Sequence, residues 1–136
     1  MKEQLVEKIV SETYTTLGLP RNKSRTTPHV QARAAVAVAT KRYFTQTPIA
    51  EALDIHQSVV SYYKSKHQAN LQHWGGYSRV YHIAEDIADK KIYNEVTQVN
   101  ISRASKEIKI LERKIKHFKK LKEDLQGTNL LRTHSL

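Results

Sequence analysis

Six side chains between residues 56 and 65 have the chemistry needed to bond the edges of nucleic-acid bases. In a helix that begins near His56, they would share the face opposite Val60 and Tyr63. A Gln amide can pair with adenine, Ser can donate or accept a hydrogen bond, and Tyr can pack on a thymine methyl group. No Asp or Glu occurs between residues 55 and 84. The sequence therefore predicts base contacts by His56, Gln57, Ser58, Ser61, Tyr62 and Ser65.

Cationic and polar side chains near this stretch are suited to phosphate groups. A polar loop between Pro20 and Pro28 carries three basic residues, and no acid follows it before Glu51. Such groups bind the DNA backbone and fix orientation without reading sequence. The predicted phosphate contacts are Arg21, Lys23, Arg25, Arg33, Gln46, Thr47, Lys64 and Lys66. The alternative is a solvated loop that is basic but binds nothing.

Two short helices joined by a sharp turn would position these side chains. Ile49, Ala50 and Leu53 share one face of the first helix, and Ala50 is small enough for the second helix to cross close by. Asp54 stands at the turn, where Asp tolerates left-handed backbone better than most residues. This pattern resembles the helix-turn-helix DNA-binding family over Gln46–Lys66. A tight corner between two helices of a protein without DNA-binding activity needs similar residues.

A second resemblance covers roughly Arg21–Lys66. A basic loop is followed by Val30, Ala32 and Arg33, and the later helix begins with His56–Val59. This order is similar to the C-terminal DNA-binding domain of the bacterial replication initiator DnaA, although the turn is shorter here and lacks that family's glycines. The resemblance implies double-stranded DNA as the partner and does not imply initiator activity. With the charge of the surrounding residues, we expect sequence-preferring DNA binding in transcription regulation or replication control. The chain has no Gly-rich phosphate-binding loop, so nucleotide binding is not implied.

The rest of the sequence predicts an all-α protein with a tri-helical core. Residues 3–17 and 77–93 carry apolar side chains at helical spacing, and Pro28 opens an Ala-rich helix that extends to about Tyr43. The predicted divisions are an N-terminal accessory helix at residues 1–19, a helix-turn-helix DNA-binding domain at 20–93, a long helix resembling a coiled coil at 94–127 and a flexible tail at 128–136.

The long C-terminal helix has apolar side chains at alternating three- and four-residue steps, the pattern of a coiled coil. The predicted oligomerisation residues are Ile101, Ile108, Leu111, Ile115, Phe118 and Leu125. Residues 101–125 include nine basic and four acidic side chains, a net charge of +5, so a parallel dimer would repel itself. Two interpretations stay open: a homodimer, or docking on an acidic protein. The alternative to DNA binding is accordingly a structural, assembly or adaptor protein, such as a phage or virion component, that acts through this helix.

Composition limits the remaining classes of function. The 136 residues include 23 Lys and Arg against 13 Asp and Glu, a formal net charge of +10 that favours an anionic partner. Cys is absent, and no apolar run approaches the roughly 20 residues that cross a bilayer. No nucleophile motif or metal-ligand spacing occurs. We therefore expect no enzyme activity, no cofactor or metal, and no membrane association. The expected location is the cytoplasm, with the nucleoid if bacterial, or the virion if phage-encoded.

Overall fold

The computed structural model describes the backbone of residues 2–134 and the side chains of residues 4–127. This described part is helical and contains no strand, which confirms the predicted all-α class. The helices are α1 (Lys2–Thr16), α2 (Thr27–Lys41), α3 (Gln46–Leu53), α4 (Gln57–His73) and α5 (Tyr77–His134). The chain divides into two compact units, Met1–Asn94 and Glu95–Leu136.

Helix α2 lies at the centre of the first unit and is buried on most of its surface. Pro28 occupies its first turn, where the missing N–H would have had no helical partner. The run of Ala that follows has high helix propensity, and its short side chains leave room for helices on several sides. Ala32 and Ala39 are fully buried. Buried Thr40 donates its hydroxyl to Val36 O at 2.6 Å, so its polar group is satisfied.

Helix α1 belongs to this core, although the sequence placed it in an accessory segment. Val6, Ile9 and Val10 are fully buried, and Tyr14 is nearly so. The helix packs against α2 and α3. Thr13 is also buried, and its hydroxyl donates to Ile9 O at 2.7 Å. The apolar side chains whose spacing predicted the helix therefore form the face that completes one side of the core.

The first three turns of α5 close the core on another side. Tyr77, Ala84 and Ala88 are fully buried there. Just beyond them, Asp89 accepts hydrogen bonds from the Arg42 guanidinium at 2.7 Å and from the Tyr43 hydroxyl at 2.5 Å. The bond from Tyr43, followed by that from Arg42, holds the pKa of the Asp89 carboxyl below its ordinary value. These contacts fasten α5 to the end of α2.

The second unit consists of the remaining part of α5. Its described side chains are exposed from Glu95 to Gln126, with Thr97 half-buried. The sequence predicted that this helix would end at Gly127, but the backbone stays helical to His134. Residues 77–126 contain no Gly or Pro, so nothing in that stretch interrupts the helix. The side chains of the predicted tail at 128–136 lie outside the described residues.

Candidate nucleic-acid interface

Helices α3 and α4 are joined by a three-residue turn that begins at Asp54. Asp54 has φ 54° and ψ 51°, the left-handed conformation expected for it from the sequence. Its N–H bonds the carbonyls of Ala50 and Glu51, and the N–H of Ile55 donates to Ala50 O at 3.0 Å. These bonds satisfy the carbonyls of Ala50 and Glu51, two of the last four of α3. The turn directs the chain into α4, which packs against both α2 and α3.

His56 caps the N-terminus of α4. Its Nδ1 accepts a hydrogen bond from the backbone N–H of Ser58 at 3.1 Å, and the Ser58 hydroxyl lies 2.8 Å from the same nitrogen. Because Nδ1 is the acceptor, the ring proton of the neutral imidazole is on Nε2. The cap therefore leaves one N–H donor of His56 available on an exposed side chain. The Ser58 hydroxyl lies close to the same nitrogen, so the side chain and the backbone of Ser58 both contact the cap.

Two side-chain hydrogen bonds connect the start of α3 to the outer face of α4. Gln57 Nε2 donates to Thr47 Oγ1 at 3.0 Å, and Gln46 Nε2 donates to Ser61 Oγ in a short contact. Neither bond exhausts the groups involved. Gln57 retains its carbonyl oxygen and a second N–H, which is the pair of groups that binds adenine. The Ser61 hydroxyl retains its hydrogen.

The next turn of α4 presents Tyr62 and Ser65. Tyr62 is 57% exposed, and the ammonium of Lys66 lies 5.9 Å from its ring centroid. The Ser65 hydroxyl donates to Tyr62 O at 2.7 Å, so it can only accept from a ligand. All six predicted base-contact residues are thus exposed, but they differ in what they can still donate.

Two residues on this face were absent from the sequence prediction. Gln68 and Gln72 are exposed, and each lies seven residues, or about two turns, after Ser61 and Ser65. The helical repeat would have identified them, because positions seven apart share a face. They extend the polar surface of α4 toward its C-terminus.

The basic loop is held against the first unit by its own cations. Arg21 Nη1 pairs with Glu7 at 2.7 Å and with the Ser11 hydroxyl at 2.9 Å, while Nη2 donates to Ala52 O at 3.0 Å. The guanidinium also lies 5.4 Å from the Tyr14 ring centroid. Arg21 therefore joins α1 to the end of α3, and little of its donor capacity is left for a phosphate.

The other basic residues of this region fall into two groups. Lys23 pairs with Asp54 at 2.6 Å, and Arg33 donates to Ser24 O at 2.6 Å. The first contact joins the loop to the turn between α3 and α4, and the second joins the loop to α2. Arg25 and Lys64 are exposed and form no ion pair or hydrogen bond within the described residues. Together with Lys66, they are the cations best placed to take a phosphate.

A cleft of about 370 Å³ opens where the loop meets the turn. Its wall includes the cations Arg21, Lys23, Arg25 and Arg33, with Asp54 as the lining carboxylate. The cleft carries an excess of positive charge because cations outnumber the carboxylate. The predicted phosphate contacts of the loop are therefore brought together at one place.

His67 lies on the inner side of α4, away from the polar face. Its Nδ1 is 2.8 Å from the Tyr77 hydroxyl, and its ring centroid is 4.3 Å from that of Tyr81. Burial, followed by the nearby charge of Lys64, lowers the pKa of the His67 imidazole. Burial also raises the pKa of the Tyr77 hydroxyl. The His67 imidazole is therefore neutral at neutral pH, and its Nδ1 forms a hydrogen bond with the protonated Tyr77 hydroxyl.

A pH-dependent stability follows from the lowered pKa of His67. The unfolded chain takes up the imidazole proton near the ordinary value of 6.5, whereas the folded chain takes it up only at lower pH. The free energy of unfolding should thus fall as pH drops from about 6.5 to the lowered value. His67→Gln keeps an acceptor for Tyr77 and should reduce that fall, as measured by urea unfolding at pH 7 and pH 5. The exposed His73→Gln variant serves as the control, and an equal fall in both variants would contradict the assignment.

Other kinds of site were sought over the same residues. No group of three or more His, Asp or Glu side chains is arranged to hold a metal ion in the part of the chain that the structure describes. None of the described helices combines the length and the apolar character needed to span a membrane.

The predicted oligomerisation residues form an exposed apolar strip on the second unit. The six side chains are between 53% (Ile101) and 64% (Phe118 and Leu125) exposed. Leu121, which the coiled-coil pattern did not include, is exposed beside them, and Ile110 is exposed on another face of the helix. The strip has no cover among the described residues of the unit.

No protein-family model, curated protein or solved structure matches this chain.

Proposed function

We propose that the chain binds double-stranded DNA with a sequence preference, as a helix-turn-helix protein in transcription regulation or replication control. The observation that carries the proposal is the outer face of α4. It is exposed and free of acid, and its side chains keep unused donors and acceptors after their internal bonds are made. The resemblance of this stretch to the DNA-binding domain of DnaA agrees with that use.

In this proposal the N-terminal half of α4 enters the major groove. The groove is wide enough for a helix and presents a distinct pattern of donors and acceptors for each base pair. Gln57 would pair with adenine through its free carbonyl and second N–H. Ser61 and the Nε2–H of His56 would donate to purine or thymine acceptors. Tyr62 would pack on a thymine methyl group or reach the backbone.

The phosphate contacts divide into two roles. Arg25, Lys64 and Lys66 would neutralise phosphates directly, since they have no acidic partner within the described residues. Arg21 and Arg33 would act mainly by holding the loop in place, through the bonds to Glu7 and Ser24. Lys23 would exchange its exposed pair with Asp54 for a phosphate at little cost, because exposed ion pairs contribute little.

Selection from a pool of random duplexes tests the proposal. We expect an enriched sequence, bound with an affinity that falls steeply between low and moderate salt. The phosphates of Arg25, Lys64 and Lys66, with the one that Lys23 would take, give a slope of about −3 to −4 in log K against log salt. The Arg25→Gln variant should reduce that slope by about 1 for all sequences alike. The absence of any enriched sequence would contradict the sequence preference, and binding that does not depend on salt would contradict the phosphate contacts.

One observation favours a second candidate function, an assembly or adaptor protein. It is the exposed apolar strip of the second unit, which a soluble helix does not keep uncovered without a partner. Such a protein would use the first unit as a scaffold and would bind duplex DNA only through its charge. The selection experiment separates the two, because binding by charge alone enriches no sequence.

A further inference from the structure

The apolar strip of the second unit needs a partner to be stable in water. A helix gains most of its stability from burial of an apolar face, not from its own propensity. Ile108, Leu111 and Ile115 are each more than half exposed. The surface flanking them is basic, with nine cations against four acids over residues 101–125. The question is which partner would cover this strip without bringing like charges together.

The heptad positions follow from the spacing of the strip. Positions a are Ile101, Ile108, Ile115 and Lys122, and positions d are Ala104, Leu111, Phe118 and Leu125. Positions e and g, which flank the a and d residues, hold Ser105, Glu107, Glu112, Lys114, Lys119 and Leu121. Six of the nine cations lie at positions b, c and f, which point away from the seam. The few charges at e and g therefore decide the orientation of a partner helix.

A second copy in parallel orientation is disfavoured by these charges. Each g residue of a parallel pair faces the e residue five positions later on the other chain. Glu107 would face Glu112 of the second copy, and Lys114 would face Lys119 of the second copy. Lys122 would also meet Lys122 of the second copy inside the seam. All of these contacts bring like charges together.

An antiparallel second copy removes each of these conflicts. In this orientation a residues face d residues, and g residues face g residues of the other chain. One register places Ile101 opposite Phe118, Ala104 opposite Ile115, and Ile108 opposite Leu111, each twice by symmetry.

In this register the charged residues at positions g, which flank the seam, are also placed opposite residues of the other sign. Glu107 lies opposite Lys114 of the second copy, again twice. Lys122 faces the polar Thr97 of the second copy, beyond the apolar pairs of the seam. A shift of one heptad in one direction sets Lys114 against Lys114, and a shift in the other sets Glu107 against Glu107. Neighbouring registers are thus penalised by the same side chains that favour this one.

We propose that residues 101–118 pair with the same segment of a second copy, antiparallel and in this register. The inference does not depend on DNA binding, because it uses only the second unit. It also predicts an opposite response to salt. Salt screens the repulsion between the outward cations, so self-association should tighten where DNA binding weakens.

Charge reversal at Lys114 distinguishes the two orientations, because it should raise the dimer dissociation constant of an antiparallel pair and lower that of a parallel pair. Lys114→Glu places Glu107 opposite a Glu twice in the antiparallel pair, but creates two attractive contacts with Lys119 in the parallel one. We expect the dimer dissociation constant of the full chain to rise about fivefold to tenfold, by sedimentation equilibrium at low salt. The double variant Glu107→Lys with Lys114→Glu should return it to near the parent value.

Lys120→Glu is the matched control, since it makes the same charge change at an outward f position. It should leave the dissociation constant unchanged or lower it slightly. Circular dichroism confirms that each variant stays helical. A tighter dimer with Lys114→Glu, or a chain that stays monomeric at several hundred micromolar (roughly 5 kcal/mol or less of association free energy), would overturn the proposal.

Cysteine pairing tests the register directly, because the natural chain has no Cys. An Ala104→Cys chain mixed with an Ile115→Cys chain should form a mixed disulfide under mild oxidation. Ala104→Cys alone should not form one, since the two copies of residue 104 lie about 16 Å apart at about 1.5 Å per residue. A disulfide from Ala104→Cys alone, without the mixed species, would establish the parallel arrangement instead.

Discussion

Replacing Gln57 and Ser61 together by Ala should abolish the sequence preference while leaving general duplex binding. Both side chains are exposed, and both keep hydrogen-bonding groups after their bonds to Thr47 and Gln46. Each base contact of this kind contributes about 1–3 kcal/mol of discrimination, so the selected duplex should lose about 100-fold or more in affinity. Affinity for an unrelated duplex, which depends on the phosphate contacts, should change less than threefold, or by under about 0.7 kcal/mol. Fluorescence anisotropy with the two duplexes measures both quantities.

The matched control for this double variant is Gln68→Ala with Gln72→Ala. These residues lie on the same helix face, about two turns farther from the start of α4. They should have a smaller effect on discrimination if only the first half of α4 enters the groove. If both double variants lost discrimination equally, the base contacts would have to extend to the C-terminal half of α4. An unchanged ratio between the two duplexes in the first variant would rule out base contacts by Gln57 and Ser61.

Enlarging Ala50 to Leu should destabilise the first unit strongly. Ala50 is 4% exposed on α3, and its carbonyl accepts the N–H groups of Asp54 and Ile55 that form the turn. A larger side chain cannot fit without moving the helices packed against α3. The expected cost is about 2–3 kcal/mol, which lowers the melting temperature by roughly 10 °C or more. Thermal unfolding followed by Trp74 fluorescence and circular dichroism measures it.

Ala52→Leu is the comparison for this variant. Ala52 is in the same helix but half-buried, and it lines the open cleft beside the basic loop, where a larger side chain has space. The change should cost less than about 0.5 kcal/mol. If Ala52→Leu were as destabilising as Ala50→Leu, tight packing at position 50 would not be the cause.

The turn and the exposed face of α4 could be predicted from the sequence because both depend on local rules. Asp54 is suited to left-handed backbone whatever surrounds it, and it has that conformation. Alternation of Val60 and Tyr63 with polar residues is enough to separate an inner face from an outer one. The all-α class follows from the same periodicity over most of the chain.

Long-range partners could not be predicted in this way. The sequence suggests that Arg21 is an unpaired cation, because nothing near it indicates the ion pair with Glu7, fourteen residues earlier. The same holds for the bond between Gln57 and Thr47, which depends on how closely α3 and α4 approach. The end of α5 was predicted at Gly127 because a single Gly often ends a helix, but Gly is also tolerated within one.

The bonds from Gln46 and Thr47 to the face of α4 have a consequence for the thermodynamics of recognition. A free Gln side chain on a helix surface samples many rotamers, and ordering one at an interface costs about 0.5–1.5 kcal/mol. Gln57 is already restrained by Thr47, and Ser61 by Gln46, before any ligand arrives. Part of that conformational entropy is therefore lost on folding and not on binding. In the proposed complex with DNA, Gln46 and Thr47 would thereby raise the affinity of Gln57 and Ser61 for bases without contacting a base themselves.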